Sequence, residues 1–190
     1  MTKERIREAL RESIEAKEAL TDDDHGLILE MANTMVEAFS QGNKVIWMGN
    51  GGSAADAQHL AAELVSRFYK ERDGLPSIAL HCNTSVLTAI GNDYGFEHIF
   101  ERQVEALARP GDVVVGISTS GASPNILRAI ERARNMGCLT IGLTGRSGGQ
   151  LEHVVDLCLK VPSDDTPRIQ EVHITVGHII CEIVESVLFG

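Results

Sequence analysis

Residues 112–123 read Asp-Val-Val-Val-Gly-Ile-Ser-Thr-Ser-Gly-Ala-Ser, an apolar run that ends in a loop of small and hydroxylated residues. The apolar part does not alternate with polar residues, which is typical of a strand that is covered on both faces. Similar short runs recur along the chain and are mostly separated by helical patterns, which predicts a parallel sheet with helices on both faces. The five predicted strands are Lys44–Met48, Ser77–Leu80, Asp112–Ile117, Leu139–Leu143 and Asp156–Val161.

The segments around this predicted sheet indicate how the chain is organised. Residues 1–42 show two helical patterns, and the alternation of strands and helices begins at residue 43. A last helix is predicted from about Pro167 to Leu188, with Thr166 as its N-cap and the proline in its first turn. We therefore expect one doubly wound α/β domain over 1–190, in which a helical hairpin (1–42) precedes the five-stranded core (43–190).

The composition limits the partners that this chain can bind. Its 17 basic and 27 acidic residues give a formal net charge of −10. Nucleic acid and anionic membranes attract basic surfaces, so we expect neither as a partner. No apolar run reaches the roughly 20 residues of a membrane span, and the charged N-terminus lacks a signal-peptide core. The four cysteines are widely spaced among apolar neighbours, which indicates reduced, buried thiols of a cytoplasmic protein.

Two loops at the carboxyl ends of predicted strands carry residues suited to binding an anion. The glycine loop (Gly49–Ser53) precedes a helix predicted over Ala54–Phe68, and the hydroxyl loop (Ser118–Ser123) precedes a helix that begins at Pro124. Ligands of open α/β sheets bind at this edge, and backbone N–H groups at helix N-termini bind phosphate. The sequence therefore predicts an anion site formed by these loops.

Part of the serine content has a simpler explanation in helix capping. Ser53 followed by Asp56 fits a capping box, and Ser123 before a proline fits a plain N-cap. One helix needs only one N-cap, however, and the hydroxyl loop carries four hydroxyl groups within six residues. Neither loop has the lysine of a Walker motif or the spacing of a dinucleotide-binding loop. A phosphorylated small molecule is therefore favoured over a nucleotide as the ligand.

Two predicted helices carry candidate residues for chemistry. His59 and Glu63 are four residues apart and share one helix face. An imidazole and a carboxylate at this spacing can share a metal ion or act as an acid–base pair, and they are also common as a solvated surface pair. The last helix carries Gln170 and His178 away from its main apolar stripe, whereas His173, on the border of that stripe, indicates a structural role.

A second face of the last helix, with Ile174, Gly177 and Cys181, is too apolar for open water. A helix that is apolar on two sides is buried on two sides, so we expect the sheet to cover one face and another subunit to cover the other. Two polar stretches have simple explanations: Gly91–Gly95 indicates a break between helical segments, and Ser147–Gly149 indicates an ordinary loop.

The motifs in combination resemble a known family. In chain order they are GNGGSAADAQHLAAEL, AIGNDYGFEHIF, GDVVVGISTSGASPNIL, LTGRSGG and RIQEVHITVGHIICEIVE. Over nearly the whole chain they resemble the sugar-isomerase (SIS) domain family, and more narrowly its branch that isomerises sedoheptulose 7-phosphate. The resemblance implies cytoplasmic homotetramers that open the heptose route to lipopolysaccharide core or other surface glycans. The implied product is D-glycero-D-manno-heptose 7-phosphate.

The resemblance also assigns roles to individual residues. The implied ligands of one zinc ion per subunit are His59, Glu63, Gln170 and His178. Glu63 and Gln170 would also meet the substrate. Glu63 would be the base that moves a proton between C1 and C2, and His178 its acid partner, while zinc polarises the carbonyl group. The implied sugar-phosphate contacts, together with Ser53 of the glycine loop, are Asn50, Gly51, Gly52, Asn92, Asp93, Ser118, Thr119, Ser120 and Ser123.

The spacing on the last helix conflicts with a simple zinc site. Gln170 and His178 are eight residues apart, which separates them by about 12 Å along a regular helix, whereas ligand atoms of one zinc ion lie about 4 Å apart. We therefore hypothesise that the active sites lie at subunit interfaces. In this hypothesis His59 and Glu63 come from one chain, and His178, with Gln170 as a further candidate, comes from a neighbour.

Three other functions fit parts of the pattern. A non-enzymatic SIS protein that binds the bacterial replication initiator would share the length and the loops, but we expect it to lack this combination of histidine, glutamate and glutamine. An isomerase for arabinose 5-phosphate commonly carries an additional C-terminal domain, whereas this sequence stops at Gly190. A sugar-phosphate sensor usually carries a DNA-binding domain, which the net charge of −10 does not suit.

Overall fold

Five parallel strands form one sheet in the order β2-β1-β3-β4-β5 in the structure, a computed structural model that describes residues 2–190. Every strand begins and ends within one residue of its predicted bounds, which confirms the doubly wound α/β sheet. The strands are β1 (Val45–Gly49), β2 (Ser77–Ala79), β3 (Val113–Ile117), β4 (Leu139–Thr144) and β5 (Leu157–Lys160).

The order of the strands reverses its direction between β1 and β3, and ligands of such sheets bind at this point. The two strands pair in register from Val45 opposite Val113 to Gly49 opposite Ile117. The carboxyl ends of β1 and β3 therefore lie side by side at the same edge of the sheet. This register places the beginning of the hydroxyl loop, at Ser118, beside the glycine loop.

The helices named in the sequence analysis are present in the predicted order but differ at several ends. The glycine-loop helix begins at Gly52 instead of Ala54, and the N-cap of the last helix is Asp165 instead of Thr166. The predicted break at Gly91–Gly95 is wrong, because the helix continues to Tyr94 and only Gly95, with φ +95°, leaves it. The helices are α1 (Lys3–Glu18), α2 (Asp22–Ser40), α3 (Gly52–Val65), α4 (Thr84–Tyr94), α5 (Glu101–Leu107), α6 (Pro124–Asn135) and α7 (Thr166–Phe189).

Helices cover both faces of the sheet. One core joins the sheet to α2, α3 and α7, and α1 packs on the outside of α7. A second core joins the opposite face to α6 and to the segment around Phe100. The glycine loop leads into α3 on the first face, and the hydroxyl loop leads into α6 on the second.

The second apolar face of α7 is covered by α3 of the same chain, and the expectation that another subunit covers it is wrong. A Cβ atom at Gly177 would lie 2.4 Å from Cδ1 of Leu60, so the glycine allows α3 to approach closely. Cys181, one turn later, is buried in the same core. Gly177 and Cys181 are therefore covered within one subunit, whereas Ile174 of the same face stays partly exposed.

By length and composition α7 could cross a membrane, contrary to the expectation that no segment is long and apolar enough. In the structure this helix lies in the core against α2 and α3, which explains its apolar composition.

The prediction of buried thiols holds for Cys138 and Cys181, where burial raises the pKa to about 11 and about 12. It is wrong for Cys82, whose side chain is exposed.

Candidate active site

Two residues that sequence reasoning missed hold the glycine loop. Asn50 and Asn125 donate to each other through their side-chain amides, with N–O distances of 3.0 and 2.9 Å. Asn125 is buried in the first turn of α6, so this pair joins the glycine loop to the end of the hydroxyl loop. His81 places its Nε2 atom 3.0 Å from both the backbone nitrogen and the carbonyl oxygen of Gly49. An amide in the first turn of a helix after a polar loop was the only signal for Asn125.

Three of the four hydroxyl groups of the hydroxyl loop bond within the loop. Ser118 is buried, and its Oγ atom lies 2.9 Å from Oγ of Ser123. Ser120 accepts a hydrogen bond from the backbone N–H of Ala122. Ser123 is the N-cap residue of α6, as predicted, but its side chain makes no capping hydrogen bond. These hydroxyls are therefore gathered at one helix N-terminus, as an anion site requires.

The segment Ser147–Gly149, interpreted from the sequence as an ordinary loop, supports the hydroxyl loop. Gly121 has φ +62°, and a Cβ atom on it would lie 1.9 Å from the carbonyl oxygen of Gly148. The backbone N–H of Leu151 donates to the carbonyl oxygen of Gly121 at 2.9 Å. Only glycine allows this close contact, which fixes the path of the hydroxyl loop.

The glycine loop turns sharply into α3. Gly51, with φ +56°, is the N-cap of the helix, and Ser53 lies buried in the first turn. The predicted capping box of Ser53 with Asp56 is therefore wrong. A Cβ atom at Gly52 would lie 2.6 Å from Nε2 of Gln170, so the side chain of Gln170 lies against the glycine loop. The structure thus brings Gln170 to the predicted substrate contacts.

His59, Glu63 and His178, which we name the His/Glu/His cluster, meet within one chain. The Nε2 atoms of His59 and His178 are 2.8 Å apart, and Nε2 of His59 is 3.2 Å from Oε1 of Glu63. One ligand atom from each residue lies within 4.8 Å of the others, which suits a metal ion. The hypothesis that His59 and Glu63 come from one chain and His178 from a neighbour is therefore wrong.

The reason for this correction is the packing of α3 beside α7. The two helices run side by side in the same direction, because Gly52 meets Gln170 near their N-termini and Leu60 meets Gly177 further along. Positions that are two turns apart on α7 therefore face positions two turns apart on α3. Gln170 lies at the height of the glycine loop, and His178 lies about 12 Å further along, at the height of His59.

The surroundings of the cluster are partly apolar. The rings of Phe68 and His178 have centroids 5.8 Å apart. Asp56, one turn before His59, has a buried carboxylate oxygen without a hydrogen-bond partner in the described residues. Burial raises the pKa of Asp56, and the nearby imidazole of His59 opposes this effect. Burial therefore favours the neutral form of the Asp56 carboxyl group, and the imidazole of His59 favours its charged form.

His173 has the structural role predicted for it. Its ring is fully buried, and Nε2 donates to the carbonyl oxygen of Thr144 at 3.0 Å. Burial lowers the pKa of His173 to about 4, and the bond to Thr144 opposes this shift, so the ring is neutral at pH 7. This bond ties α7 to the end of β4.

Asn92 and Asp93 lie in the exposed last turn of α4. Asn92 donates to the carboxylate of Asp93 at 2.8 Å. Within residues 2–190, no hydrogen bond or ion pair joins either side chain to another predicted site residue. The structure of one chain therefore does not bring these two residues into the site.

Comparison with known proteins gives the same family as the motifs. The SIS domain family model matches residues 10–145. The phosphoheptose isomerase of Trichlorobacter lovleyi is 62% identical over 163 residues, which cover 86% of this chain and 83% of that protein. The phosphoheptose isomerase of Aneurinibacillus thermoaerophilus is 53% identical over 186 residues, covering 97% of this chain and 94% of that protein.

Solved structures show the same similarity in three dimensions. A phosphoheptose isomerase from Neisseria gonorrhoeae has a TM-score of 0.91 and 44% identity, covering 96% of this chain and 98% of that one. A phosphoheptose isomerase from Francisella tularensis has a TM-score of 0.94 and 40% identity, covering 98% of this chain and 100% of that one. On its sequence and its fold, this chain belongs to the SIS domain family and, within it, to the phosphoheptose isomerases.

Proposed function

We infer that this chain is an aldose–ketose isomerase that converts D-sedoheptulose 7-phosphate to D-glycero-D-manno-heptose 7-phosphate. The observation that carries this inference is the His/Glu/His cluster, formed on the helix that begins in the glycine loop. The names of relatives at 53% and 62% identity support the same reaction. The reaction requires a site for the phosphate and groups that move protons between C1 and C2, and the chain supplies candidates for both.

The phosphate would bind at the hydroxyl loop. Ser118, Thr119, Ser120 and Ser123 offer hydroxyl donors beside the N-terminus of α6, where backbone N–H groups favour an anion. Asn50, Gly51, Gly52 and Ser53 of the glycine loop would contact the sugar, together with Gln170. Exposed Asn92 and Asp93 would join the site from α4.

The proton transfer would be carried by Glu63 and His178. The base removes a proton from C1 of the ketose and returns one to C2, while O2 gains a proton and the hydroxyl at C1 loses one. Glu63 is the base in this proposal, because a carboxylate accepts a proton from carbon and can return it. His178 exchanges the proton on the oxygens, and its ring lies between His59 and Phe68.

The donors of the His/Glu/His cluster fit zinc, since two imidazole nitrogens and a carboxylate are ligands that this ion prefers. When bound, zinc would polarise the carbonyl group of the substrate. His59, Glu63 and His178 would hold the ion. Gln170 stays a predicted fourth ligand, although its amide lies against Gly52, which favours a contact with the substrate.

The proposal extends to assembly and location. Ile6, Leu10 and Ile14 form one face of α1, and each is more than half exposed, which supports burial of this face in a homotetramer. We place the active sites at the subunit interfaces of this tetramer, where a neighbour would complete the site, and the enzyme in the cytoplasm. Its product would enter the route to lipopolysaccharide core or other surface glycans.

The test is to add the purified protein and Zn²⁺ to sedoheptulose 7-phosphate and to record NMR spectra over time. We expect anomeric signals of an aldose to grow, and arabinose 5-phosphate in a parallel sample to remain unconverted. A folded protein that forms no aldose would contradict the proposal and favour the non-enzymatic SIS protein. Conversion of arabinose 5-phosphate alone would favour the other isomerase.

A further inference from the structure

A buried carboxylate holds the segment that follows α3. Glu185 is only 2% exposed, and it accepts hydrogen bonds from the backbone N–H groups of Phe68, Tyr69 and Lys70 at 2.9, 2.6 and 2.8 Å. It also accepts one from Nε of Arg72 at 2.9 Å. Burial by itself raises the pKa of Glu185, but these four bonds favour the charged form and bring the pKa to about 2. Glu185 is therefore ionised at neutral pH.

Arg72 connects this carboxylate to the end of α3. Its side chain is 1% exposed, and it donates to the carbonyl oxygens of Leu64 at 2.8 Å and Glu63 at 3.0 Å. The last carbonyl groups of a helix have no partner within the helix, and a cation there is favourable. Arg72 therefore caps the C-terminal turn of α3, which is the turn that carries Glu63.

The same pair reaches the other residue proposed for proton transfer. Glu185 holds the backbone of Phe68, and the ring of Phe68 lies beside the ring of His178. Glu185 also follows His178 by seven residues, which places both on one face of α7, about 10 Å apart. The buried ion pair of Glu185 and Arg72 thus contacts the last turn of α3, which carries Glu63, and the backbone of Phe68, whose ring lies beside that of His178. Neither residue of the pair belongs to the His/Glu/His cluster.

We propose that Glu185 and Arg72 are positioning residues of the isomerase, which keep the C-terminal turn of α3 and the ring of His178 in place. The proposal rests on the function proposed above. A small displacement of a catalytic group lowers the rate by as much as about 100-fold. Loss of the hydrogen bonds that hold the last turn of α3 should therefore lower kcat through a displacement of Glu63. The hydroxyl loop lies at the other end of α3, so phosphate binding does not depend on this pair.

The chain offers a matched control in Asp112. This carboxylate is 1% exposed, accepts from the backbone N–H groups of Lys44 and Arg109, and pairs with the ammonium group of Lys44. It therefore resembles Glu185 in burial, charge and bonding. Within residues 2–190, its hydrogen bonds and ion pair reach none of the predicted site residues.

The experiment compares Glu185→Gln, Arg72→Lys and Asp112→Asn in the zinc-loaded full chain. We expect each carboxylate variant to lower the thermal unfolding midpoint by roughly 6–20 °C, because each breaks an ion pair whose carboxylate is buried. Glu185→Gln and Arg72→Lys should lower kcat by about 10–100-fold and leave KM within about twofold. Asp112→Asn should leave both constants within about twofold.

A second measurement does not depend on activity. The ring signals of His59 and His178 in NMR spectra should shift in Glu185→Gln and stay in place in Asp112→Asn. If Glu185→Gln does not fold, Arg72→Lys serves for both measurements, since lysine keeps the charge and loses the bond to the Glu63 carbonyl. Unchanged kcat and unchanged ring signals in a folded variant would overturn the proposal, as would an equal loss of kcat in Asp112→Asn. An inactive wild type would instead overturn the proposed function, and the ring signals would still decide the positioning role.

Discussion

The two faces of the sheet hold their helices by different means. On the face covered by α2, α3 and α7, buried polar groups bond from one element to another. His173 of α7 bonds to the carbonyl oxygen of Thr144 at the end of β4, and Glu185 of α7 pairs with Arg72 after α3. On this face, hydrogen bonds fix the rotation and height of α7 as well as its distance from the sheet.

On the opposite face, α6 packs through apolar side chains. Ile126 and Ile130 lie over Gly116 of β3, where a Cβ atom would be 2.8 Å from Cγ2 of Ile126. Apolar packing is non-directional, so it stabilises the fold without setting the orientation of single polar groups. This face meets the site through Asn125 and the hydroxyl loop at the first turn of α6. We call the face covered by α2, α3 and α7 the polar face, after its hydrogen bonds between elements, and the face covered by α6 the apolar face. The comparison indicates that catalysis depends on the polar face, whereas the apolar face contributes binding and stability.

The largest effect expected from this contrast is that of Glu63→Gln on the polar face. The variant keeps the size of the side chain and removes its basicity, so kcat should fall by about 10²–10⁴. Substrate should still bind, because the hydroxyl loop is unchanged. The measurements are kcat, KM and the rate of hydrogen exchange at C1 of the substrate.

Glu105→Gln on α5 is the control for this change, since Glu105 is an exposed partner of Arg132 on the opposite face. It should keep the wild-type kcat. Hydrogen exchange at C1 that continued at the wild-type rate in Glu63→Gln would exclude Glu63 as the base.

The next effect concerns binding through the hydroxyl loop. Replacing Ser118, Thr119 and Ser120 together by alanine removes three donors of about 0.5–1.5 kcal/mol each, which corresponds to a rise in KM of roughly 10–1000-fold. Ser40→Ala on α2, whose hydroxyl bonds to the carbonyl oxygen of Val36, is the control. A triple variant with the KM of the wild type would show that the phosphate binds elsewhere.

Sequence patterns were sufficient for the sheet and for the two loops, because both depend on neighbours in the chain. The unbroken apolar run before Ser118 indicates a strand covered on both faces, and its length sets the edge where the loop begins. The register of β1 with β3 then brings the two loops together, as expected for carboxyl ends of adjacent parallel strands.

The pairing of α3 with α7 could not be predicted from spacing. The distance of about 12 Å between Gln170 and His178 was a sound inference from helix geometry. It led to the wrong hypothesis of a split cluster because periodicity does not show which helix covers a second apolar face. Gly177 was the available signal, since a glycine on a helix face permits another helix to approach. Glu185, a charged residue directly after the buried Val184 of α7, was a second signal, because a buried carboxylate requires a partner.

The two faces of the sheet should differ in how their buried groups make stability depend on pH. In the folded protein the pKa of His173 is about 4, below the ordinary value of 6.5, because the ring is buried. Between pH 6.5 and 4 the unfolded chain therefore binds more protons at this residue than the folded chain. The contribution of His173 to the free energy of unfolding is complete above pH 6.5 and falls by roughly 3 kcal/mol as the pH drops to 4.

His173→Gln should remove this loss, and Ile130→Val on α6 is the matched change on the apolar face. Glutamine does not titrate, so the free energy of unfolding of this variant should fall less steeply than that of the wild type over this pH range. Ile130→Val should lower the free energy of unfolding by about 0.5–1.5 kcal/mol at every pH and run parallel to the wild type. Denaturant unfolding at a fixed protein concentration measures all three curves, because assembly also affects stability. If the curve of His173→Gln were also parallel to that of the wild type, the folded protein would accept a proton on His173 without cost. That result would contradict the buried, neutral ring of His173, which in this comparison separates the face covered by α2, α3 and α7 from the face covered by α6.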